Sequence, residues 1–354
     1  MAQSSITTDT YVTTENMVKD RGGITTYSGE LPASAGTAYK KGDTLVSNIR
    51  PYLQKIWLAD RDGACSKDVL VFRSINTDSL LPEFLHLLLW QKDFFDYDMS
   101  TFTGTGRPRG DKDELLKYPI PVPTLSEQRA LIDDFNRLTD EINSKRQQIA
   151  ALKESVKSRF VEVFGDPVDG KKWPFVRLED LCTKLGSGAT PRGGKTAYKA
   201  EGVPLVRSTN VHNGRFVWKD LACIDDEQAA KLEGVTLMKG DVLLNITGAS
   251  VARSCLLPDE LAGGRVNQHV SIVRVDQKRM LPVLLNTVLI SDSYQRLLLN
   301  GSRAAGATRE AITKEALKRM TVPLPPLELQ QEFASFVAQV DKSQFIIHQD
   351  LHGF

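Results

Sequence analysis

The sequence repeats itself once, at a separation of about 200 residues, and this repeat limits the folds that the chain can adopt. The tripeptide Lys-Gly-Asp stands at 41–43 and returns at 239–241. Each copy leads into residues that favour strands, Leu45–Ile49 in the first half and Leu243–Ile246 in the second, after a turn that Gly and Asp favour. A chain of 354 residues exceeds what one hydrophobic core usually serves, so the repeat predicts two domains of one design.

Other landmarks follow in the same order in both halves. They are a strand at 68–72 and 269–273, a helix that begins at Pro82 and Pro282, a Gly- and Arg-rich loop at 104–110 and 301–309, and a proline-rich exit at 119–128 and 322–330. Their separation drifts by a few residues, as insertions in loops would produce. A shared order of landmarks over both halves favours a duplicated domain over a chance similarity.

The first exit leads into a long amphipathic helix. Thr124 and Glu127 have the spacing of a capping box, in which a hydroxyl and a carboxylate satisfy backbone N–H groups at a helix start. Apolar residues then recur three or four positions apart until Gly165, which together with Pro167 supplies a stop. These signals predict a helix over 126–164. The second exit leads into a shorter copy, whose apolar stripe comprises Phe333, Phe336, Val337, Val340 and Ile347.

A helix of this length cannot bury its apolar stripe alone. We expect the two helices to pair antiparallel as a spacer; the alternative is that each helix packs on its own domain. The expected fold class is α+β, with two globular domains separated by this antiparallel pair of long helices. The expected bounds are 1–123 for the first domain, 124–165 for the central helix, 166–325 for the second domain and 326–354 for the C-terminal helix.

Motifs for catalysis and for metal binding are missing from the sequence. The four cysteines form no C-x-x-C pair, and the histidines show no H-E-x-x-H spacing. The segment 189–196 resembles a phosphate-binding loop, but Ala189 stands where that motif requires glycine. We therefore predict no catalytic and no metal-ligating residues, although catalytic side chains can converge from distant positions. Neither a membrane-spanning apolar run nor a signal peptide is present, which favours a cytoplasmic protein.

The sequence feature that points to a function is the clustering of basic residues. Between 181 and 219 seven basic residues stand against one acidic residue, and 295–319 carries six against two. Such clusters attract phosphates, and Arg and Asn can form bidentate hydrogen bonds with base edges, although a charged run is most often only a solvated face. The predicted DNA-binding residues are Arg50, Arg107, Arg109, Lys112, Arg192, Lys195, Arg207, Asn210, Thr247, Arg253, Arg303 and Arg309.

Several segments together resemble a known family over nearly the whole chain. They are Tyr11–Met17, Gly42–Pro51 and Gly104–Lys112 in the first half, and Leu185–Pro191, Gly240–Gly248 and Val266–Val270 in the second. In these segments the chain resembles a specificity subunit of a type I restriction–modification system. The resemblance implies two target-recognition domains that each read one half of a split DNA sequence, with the helix pair as a ruler between them.

The resemblance also implies partners and cofactors. It implies binding to double-stranded DNA, to two modification subunits that carry S-adenosylmethionine, and to restriction subunits that use ATP and Mg for translocation and cleavage. No cofactor is expected on this chain. Compared with the family, the first domain is expected to be short at its N-terminus, since no counterpart of 173–182 precedes Tyr11, and the last helix is shorter than the central one.

Two other functions remain open at this point. The chain could be a protein-interaction scaffold that uses its coiled coil, in which case the purified protein would show no salt-dependent DNA retention. It could also be the specificity fragment of a fused restriction–methylation enzyme, which a methyltransferase motif in adjacent coding sequence would reveal.

Overall fold

The computed structural model describes residues 6–32, 36–101, 109–191, 193–303 and 311–352. It divides into two compact units, unit 1 (Met1–Asn143) and unit 2 (Ser144–Phe354). The boundary between the units falls within a long helix. The domain bounds expected from the sequence remain a prediction.

Unit 1 is built from short strands and helices. Its strands are β1 (Tyr11–Val12), β2 (Thr37–Tyr39), β3 (Thr44–Ser47), β4 (Ile56–Leu58), β5 (Gly63–Cys65) and β6 (Val69–Phe72), and its helices are α1 (Pro82–Trp90), α2 (Lys92–Ser100) and α3 (Lys112–Leu115). Strand β3 lies between β4 and β6 in an antiparallel sheet, and β5 lies between β1 and β2. Helices α1 and α2 pack on the first sheet, where Leu85, Leu89 and Phe94 join Val46 in one buried cluster.

The central helix α4 (Leu125–Phe164) confirms the helix predicted over 126–164. Its capping box forms as predicted, because Glu127 Oε2 accepts hydrogen bonds from the backbone N–H of Thr124 at 2.8 Å and from its hydroxyl at 2.7 Å. Gly165 ends the helix with a φ of 77°, which a residue with a Cβ rarely adopts. Local signals at both ends therefore set the length of this helix.

Unit 2 repeats the arrangement of unit 1 with additional elements. Its strands are β7 (Phe175–Arg177), β8 (Cys182–Ser187), β9 (Val203–Val206), β10 (Val211–His212), β11 (Arg215–Phe216), β12 (Ala222–Ile224), β13 (Val242–Asn245), β14 (Ser254–Leu256), β15 (Arg265–Val266), β16 (Val270–Val275) and β17 (Thr321–Pro323). Its helices are α5 (Leu178–Leu181), α6 (Asp226–Lys231), α7 (Pro282–Ile290), α8 (Asp292–Arg303), α9 (Lys314–Arg319) and α10 (Leu327–His352). Strand β8 extends the main sheet beyond β16.

Equivalent strands occupy equivalent places in the two units. Strand β13 lies between β14 and β16, as β3 lies between β4 and β6, and β9 runs parallel to β15 as β1 runs parallel to β5. The predicted strands and the helix starts at Pro82 and Pro282 are confirmed. Strand β3 ends at Ser47, before the predicted Ile49, because Ile49 forms an isolated bridge with Arg109 instead. The duplicated domain predicted from the sequence is therefore present.

The repeated Lys-Gly-Asp turn is held by an ion pair in each unit. Arg73 Nε and Nη2 donate to the two oxygens of Asp43 at 2.6 and 2.5 Å, and Arg274 binds Asp241 in the same way at 2.6 and 2.9 Å. Burial acts to raise the pKa of Asp43, but the hydrogen bonds from Arg73 and from the Lys40 backbone outweigh it and hold the pKa below its ordinary value. The turn thus fixes the start of the central strand in both sheets.

Within unit 2 the second half of α4 pairs antiparallel with α10. Phe160 and Phe164 both contact Phe333, with ring centroids 6.0 and 5.4 Å apart. Farther along, Lys145 Nζ lies 3.3 Å from Asp350 Oδ2. The end of α4 therefore meets the start of α10, and the middle of α4 meets the end of α10, which confirms the antiparallel pairing predicted for this part of the helices.

In each unit a buried glutamine in the first turn of the long helix bonds to the proline-rich exit and to the backbone just before a domain helix. Gln330 Oε1 accepts a hydrogen bond from the Leu281 backbone N–H at 2.8 Å, and its Nε2 donates to the backbone oxygens of Arg279 and Pro325, both at 2.9 Å. Gln128 makes the corresponding bonds in unit 1. Both side chains are fully buried, so the first turn of each long helix is attached to its own globular unit.

Unit 1 buries a polar cluster where unit 2 has an apolar one. Asp98 is fully buried next to Gly110, where an added Cβ would lie 1.9 Å from Asp98 Oδ1. Neither Asp98 oxygen nor Oδ1 of the adjacent Asn48 has a hydrogen-bond partner among the described residues. Burial raises the pKa of Asp98 to about 7. By position in the fold, the counterparts of Asn48, Asp98 and Gly110 in unit 2 are Ile246, Leu298 and Ile312, which belong to the main hydrophobic cluster.

Replacing Gln330 by leucine should destabilise unit 2 by about 3 kcal/mol, because one buried N–H and two buried carbonyl groups would lose their partner. Urea unfolding measures the loss. The neighbouring exposed Gln331→Leu variant is the matched control and should change the free energy of unfolding by less than about 0.5 kcal/mol. Equal effects of the two variants would show that the buried amide does not secure the helix.

The buried Asp98 should make unit 1 less stable as pH rises. Its pKa is about 7 in the folded chain against an ordinary 3.8, so its stabilisation is complete below about pH 4 and is lost as pH rises to about 7. Asp98→Asn, which keeps the shape without a charge, should remove this loss in urea unfolding followed across that pH range. The exposed Asp93→Asn variant should keep the wild-type pH profile. An Asp98→Asn profile identical to wild type would contradict the prediction.

Candidate nucleic-acid interface

Basic side chains of unit 1 lie together at one edge of the antiparallel sheet. Strand β3 ends at this edge with Ser47, and β4 and β6 begin there because both run antiparallel to β3. Arg50 follows β3, and Lys55 directly precedes β4. Arg109 reaches the same edge through its bridge to Ile49. The fold thus brings together Arg50 and Arg109, two of the predicted DNA-binding residues.

The predicted residues Arg109 and Lys112 are both exposed. Arg109 Nη2 donates to Asp68 Oδ1 at 2.7 Å, and Lys112 is the first residue of α3. An exposed ion pair of this kind contributes little to stability, since solvent screens it. The Arg109 guanidinium can therefore exchange its carboxylate for a phosphate at small cost.

Unit 2 presents the same edge of its main sheet. Thr247 follows β13, and its hydroxyl lies 2.5 Å from Nδ1 of His269 at the start of β16. Thr247 also bridges to Ala311, as Ile49 bridges to Arg109 in unit 1. Arg253 directly precedes β14, and its half-buried side chain has no hydrogen bond among the described residues. Predicted residues from both units therefore lie at equivalent edges.

The predicted residues Arg207 and Asn210 follow β9 and have different exposures. The Arg207 guanidinium stacks on Tyr198, 5.2 Å from the ring centroid, and donates to the backbone oxygen of Asp220. Asn210 is fully buried: its Oδ1 accepts from the Arg207 backbone N–H at 3.1 Å, and its Nδ2 donates to the Val217 oxygen at 2.9 Å. In this structure Asn210 orders the loop and presents no free polar atom to a base, which differs from its predicted role.

The remaining predicted positions are not part of the described structure. Arg107, Arg192 and Arg309 lie outside the described residues, as do the side chains of Lys195 and Arg303. Their roles stay predictions.

One basic residue at this edge was not predicted from the sequence. The Ser47 backbone N–H donates to the Lys55 oxygen at 3.0 Å, and the Asn245 N–H donates to the Arg253 oxygen at 2.8 Å, so Lys55 and Arg253 occupy the same place in the two units. The repeat carried the signal for this residue, because Lys55 and Arg253 stand at corresponding distances after the two Lys-Gly-Asp turns. A basic residue at this position is thus common to both copies.

The described residues contain cations suited to binding anions, and three of their cysteines are poorly suited to act as nucleophiles. Burial raises the pKa of the Cys65, Cys182 and Cys255 thiols to about 12, so these thiols remain protonated at neutral pH. Burial lowers the pKa of His86 to about 4, which keeps this imidazole neutral. Within the described ranges, His, Cys, Asp and Glu form no group that could hold a metal ion, and no helix there has the length and apolarity to cross a membrane.

Comparison with known sequences relates both halves of the chain to one family. The family described as the type I restriction modification DNA specificity domain matches residues 7–154 and 170–352. The chain is 25% identical over 261 residues to the specificity subunit of the type I restriction enzyme MjaVIII from Methanocaldococcus jannaschii, covering 67% of this chain and 59% of that protein. It is 22% identical over 247 residues to the EcoKI specificity subunit from Escherichia coli, covering 62% and 50%. The chain thus spans between half and three-fifths of the length of these two relatives.

A solved structure has a similar fold. The type I restriction–modification S subunit from M. genitalium aligns with a TM-score of 0.57 and 13% identity, covering 96% of this chain and 87% of that one. At this identity the likeness concerns the fold alone. The duplicated fold and the family match over both halves lead to one conclusion: this chain belongs to the family of type I restriction–modification DNA specificity domains.

Proposed function

We propose that the chain is the sequence-specific DNA-binding subunit of a type I restriction–modification system and that it reads a bipartite target, one half with each unit. The observation that carries this proposal is the edge that the fold builds twice, with Lys55 in unit 1 and Arg253 in unit 2 at the same place. Basic groups on equivalent loops of two similar domains suit two similar segments of a duplex. Membership of the specificity-domain family supports this function.

On this proposal the chain has no catalytic activity and selects where other subunits act. Two modification subunits would supply S-adenosylmethionine and methylate the target, and restriction subunits would supply ATP-driven translocation and cleavage with Mg. No cofactor is assigned to this chain. The complex would work in the cytoplasm, where chromosomal DNA is accessible to it.

The direct test is methylome sequencing of cells that carry this chain with its modification partner. A single methylated motif with two specified halves and an unspecified gap of fixed length is expected, and cells without the chain should lack that motif. A continuous motif, or methylation that persists without the chain, would overturn the proposal. Absence of salt-dependent DNA retention by the purified protein would instead favour a protein scaffold.

Inserting four residues between Asn143 and Ser144 should lengthen the gap in the motif. The insertion site comes just before the part of α4 that pairs with α10. Four residues add about 6 Å of helix, which is close to the length of two base pairs at 3.4 Å each. Both half-site sequences should stay unchanged in the methylome.

The matched control carries the same insertion in the exposed loop between Ser28 and Gly29, where it should leave the gap at its original length. A changed half-site sequence, or an unchanged gap, in the Asn143–Ser144 variant would show that the helices do not act as the ruler.

A further inference from the structure

A cavity opens at the edge of the unit 1 sheet where β3 ends. Its volume is about 320 Å³, and Thr14, Ser47, Arg50 and Lys55 are among its lining residues. Lys55 Nζ donates to the Thr14 backbone oxygen at 2.6 Å, which holds the ammonium group at the wall of the cavity. Neither Arg50 nor Lys55 has an ion-pair partner among the described residues. The cavity therefore contains two cationic groups against one carboxylate, that of Glu15.

The two cations act on each other. Burial lowers the pKa of Lys55, the positive charge of Arg50 lowers it further, and Glu15, which also lines the cavity, acts in the opposite direction. Like charges that line one cavity repel each other, and an anion bound between them would relieve that repulsion. Glu15 is exposed and forms no ion pair with either cation among the described residues.

The backbone at Arg50 is strained in a way that its counterpart is not. Arg50 has φ 55° and ψ 62°, in the left-handed region that a residue with a Cβ disfavours. Unit 2 has glycine at the corresponding position, Gly248, with φ 79°. The exposed Arg50 side chain makes no hydrogen bond among the described residues. Strain of this kind concentrates where a side chain serves binding rather than folding.

The chemistry of the two side chains selects the ligand. Lysine and arginine carry only hydrogen-bond donors. A phosphate presents only acceptors at every step of a duplex, whereas among the bases guanine alone presents two neighbouring acceptors in the major groove, so a site with two cations suits a phosphate whatever the sequence. We infer that the cavity beside Arg50 and Lys55 binds one backbone phosphate of the DNA while unit 1 engages its half of the target. This inference rests on the proposed function, and it makes Lys55 a positioning residue that sets the register of unit 1 on the duplex.

The test uses the complex of the full chain with its modification subunit. In the double variant Arg50→Gly with Lys55→Met, the slope of log binding constant against log salt concentration should shrink by about 0.9, the value for one phosphate. The loss of affinity should be the same on target and on random DNA, and the half-site sequence should not change. Glycine reproduces the residue of unit 2 at this place and relieves the strain, so the fold should tolerate it.

The double variant Lys40→Met with Lys41→Met is the matched control. It removes two exposed charges at the opposite end of β3 and should leave the slope unchanged. An unchanged slope in the cavity variant would overturn the inference while leaving the proposed function intact, and a relaxed half-site sequence would overturn it in favour of base reading. A wild-type complex that shows no bipartite selectivity would overturn both.

Inorganic phosphate distinguishes a free anion from the DNA backbone. If the cavity served free phosphate, added phosphate would raise the thermal midpoint of the wild-type complex more than that of the cavity variant, and the two would share one salt slope on DNA. That result would overturn the inference. A salt slope that differs between wild type and variant, on target and random DNA alike, supports it.

Discussion

The fold depends on one side-chain amide in each unit. Gln128 and Gln330 are fully buried, and each bonds at once to the backbone before a domain helix and to the proline-rich exit. Every group involved is a backbone group that would otherwise lose its partner away from water. A glutamine that stands in the first turn of a long helix thus attaches the helix to the globular unit that precedes it.

The two units show how one topology accepts different interiors. The position held by Leu298 and Ile312 in unit 2 is held by Asp98 and Gly110 in unit 1, and the small glycine leaves the space that the carboxylate occupies. The shared features are those that fix backbone geometry, above all the paired Arg and Asp side chains at the Gly-Asp turn. The units differ instead where side chains fill space or face solvent, as Arg50 and Gly248 illustrate. Two domains of one design can in this way differ in their interiors and in the side chains that they present to solvent.

Local signals explain how much of this architecture could be predicted from the sequence. The capping box at Thr124 and the helix starts at Pro82 and Pro282 depend on neighbouring residues only, and all are confirmed. The repeat then predicted the α+β fold class and the antiparallel helix pair. The parallel pairing of β1 with β5 joins residues far apart in the chain, and no local pattern indicates it.

The candidate site was harder to predict, because a basic or polar residue in a sequence can be buried or exposed. Asn210 stands in a basic, polar segment typical of a DNA-binding surface, but tertiary contacts turn its amide inward. Lys55 stands in no charged cluster, and only its match to Arg253 through the repeat distinguishes it. The second half of a duplicated chain is thus the best guide to the first, even where the residue types differ.

The aromatic contacts between the paired helices have a consequence for measurement. Phe160, Phe164 and Phe333 belong to the main hydrophobic cluster of unit 2, so the helix pair and the sheet share one core. Sliding α10 along α4 by one turn would pull Phe333 away from Phe160 and Phe164 and out of that core. The register of α10 against α4 is therefore fixed at the Phe333 end. A change in spacing requires a change in the number of residues in α4, since the two helices do not slide along each other.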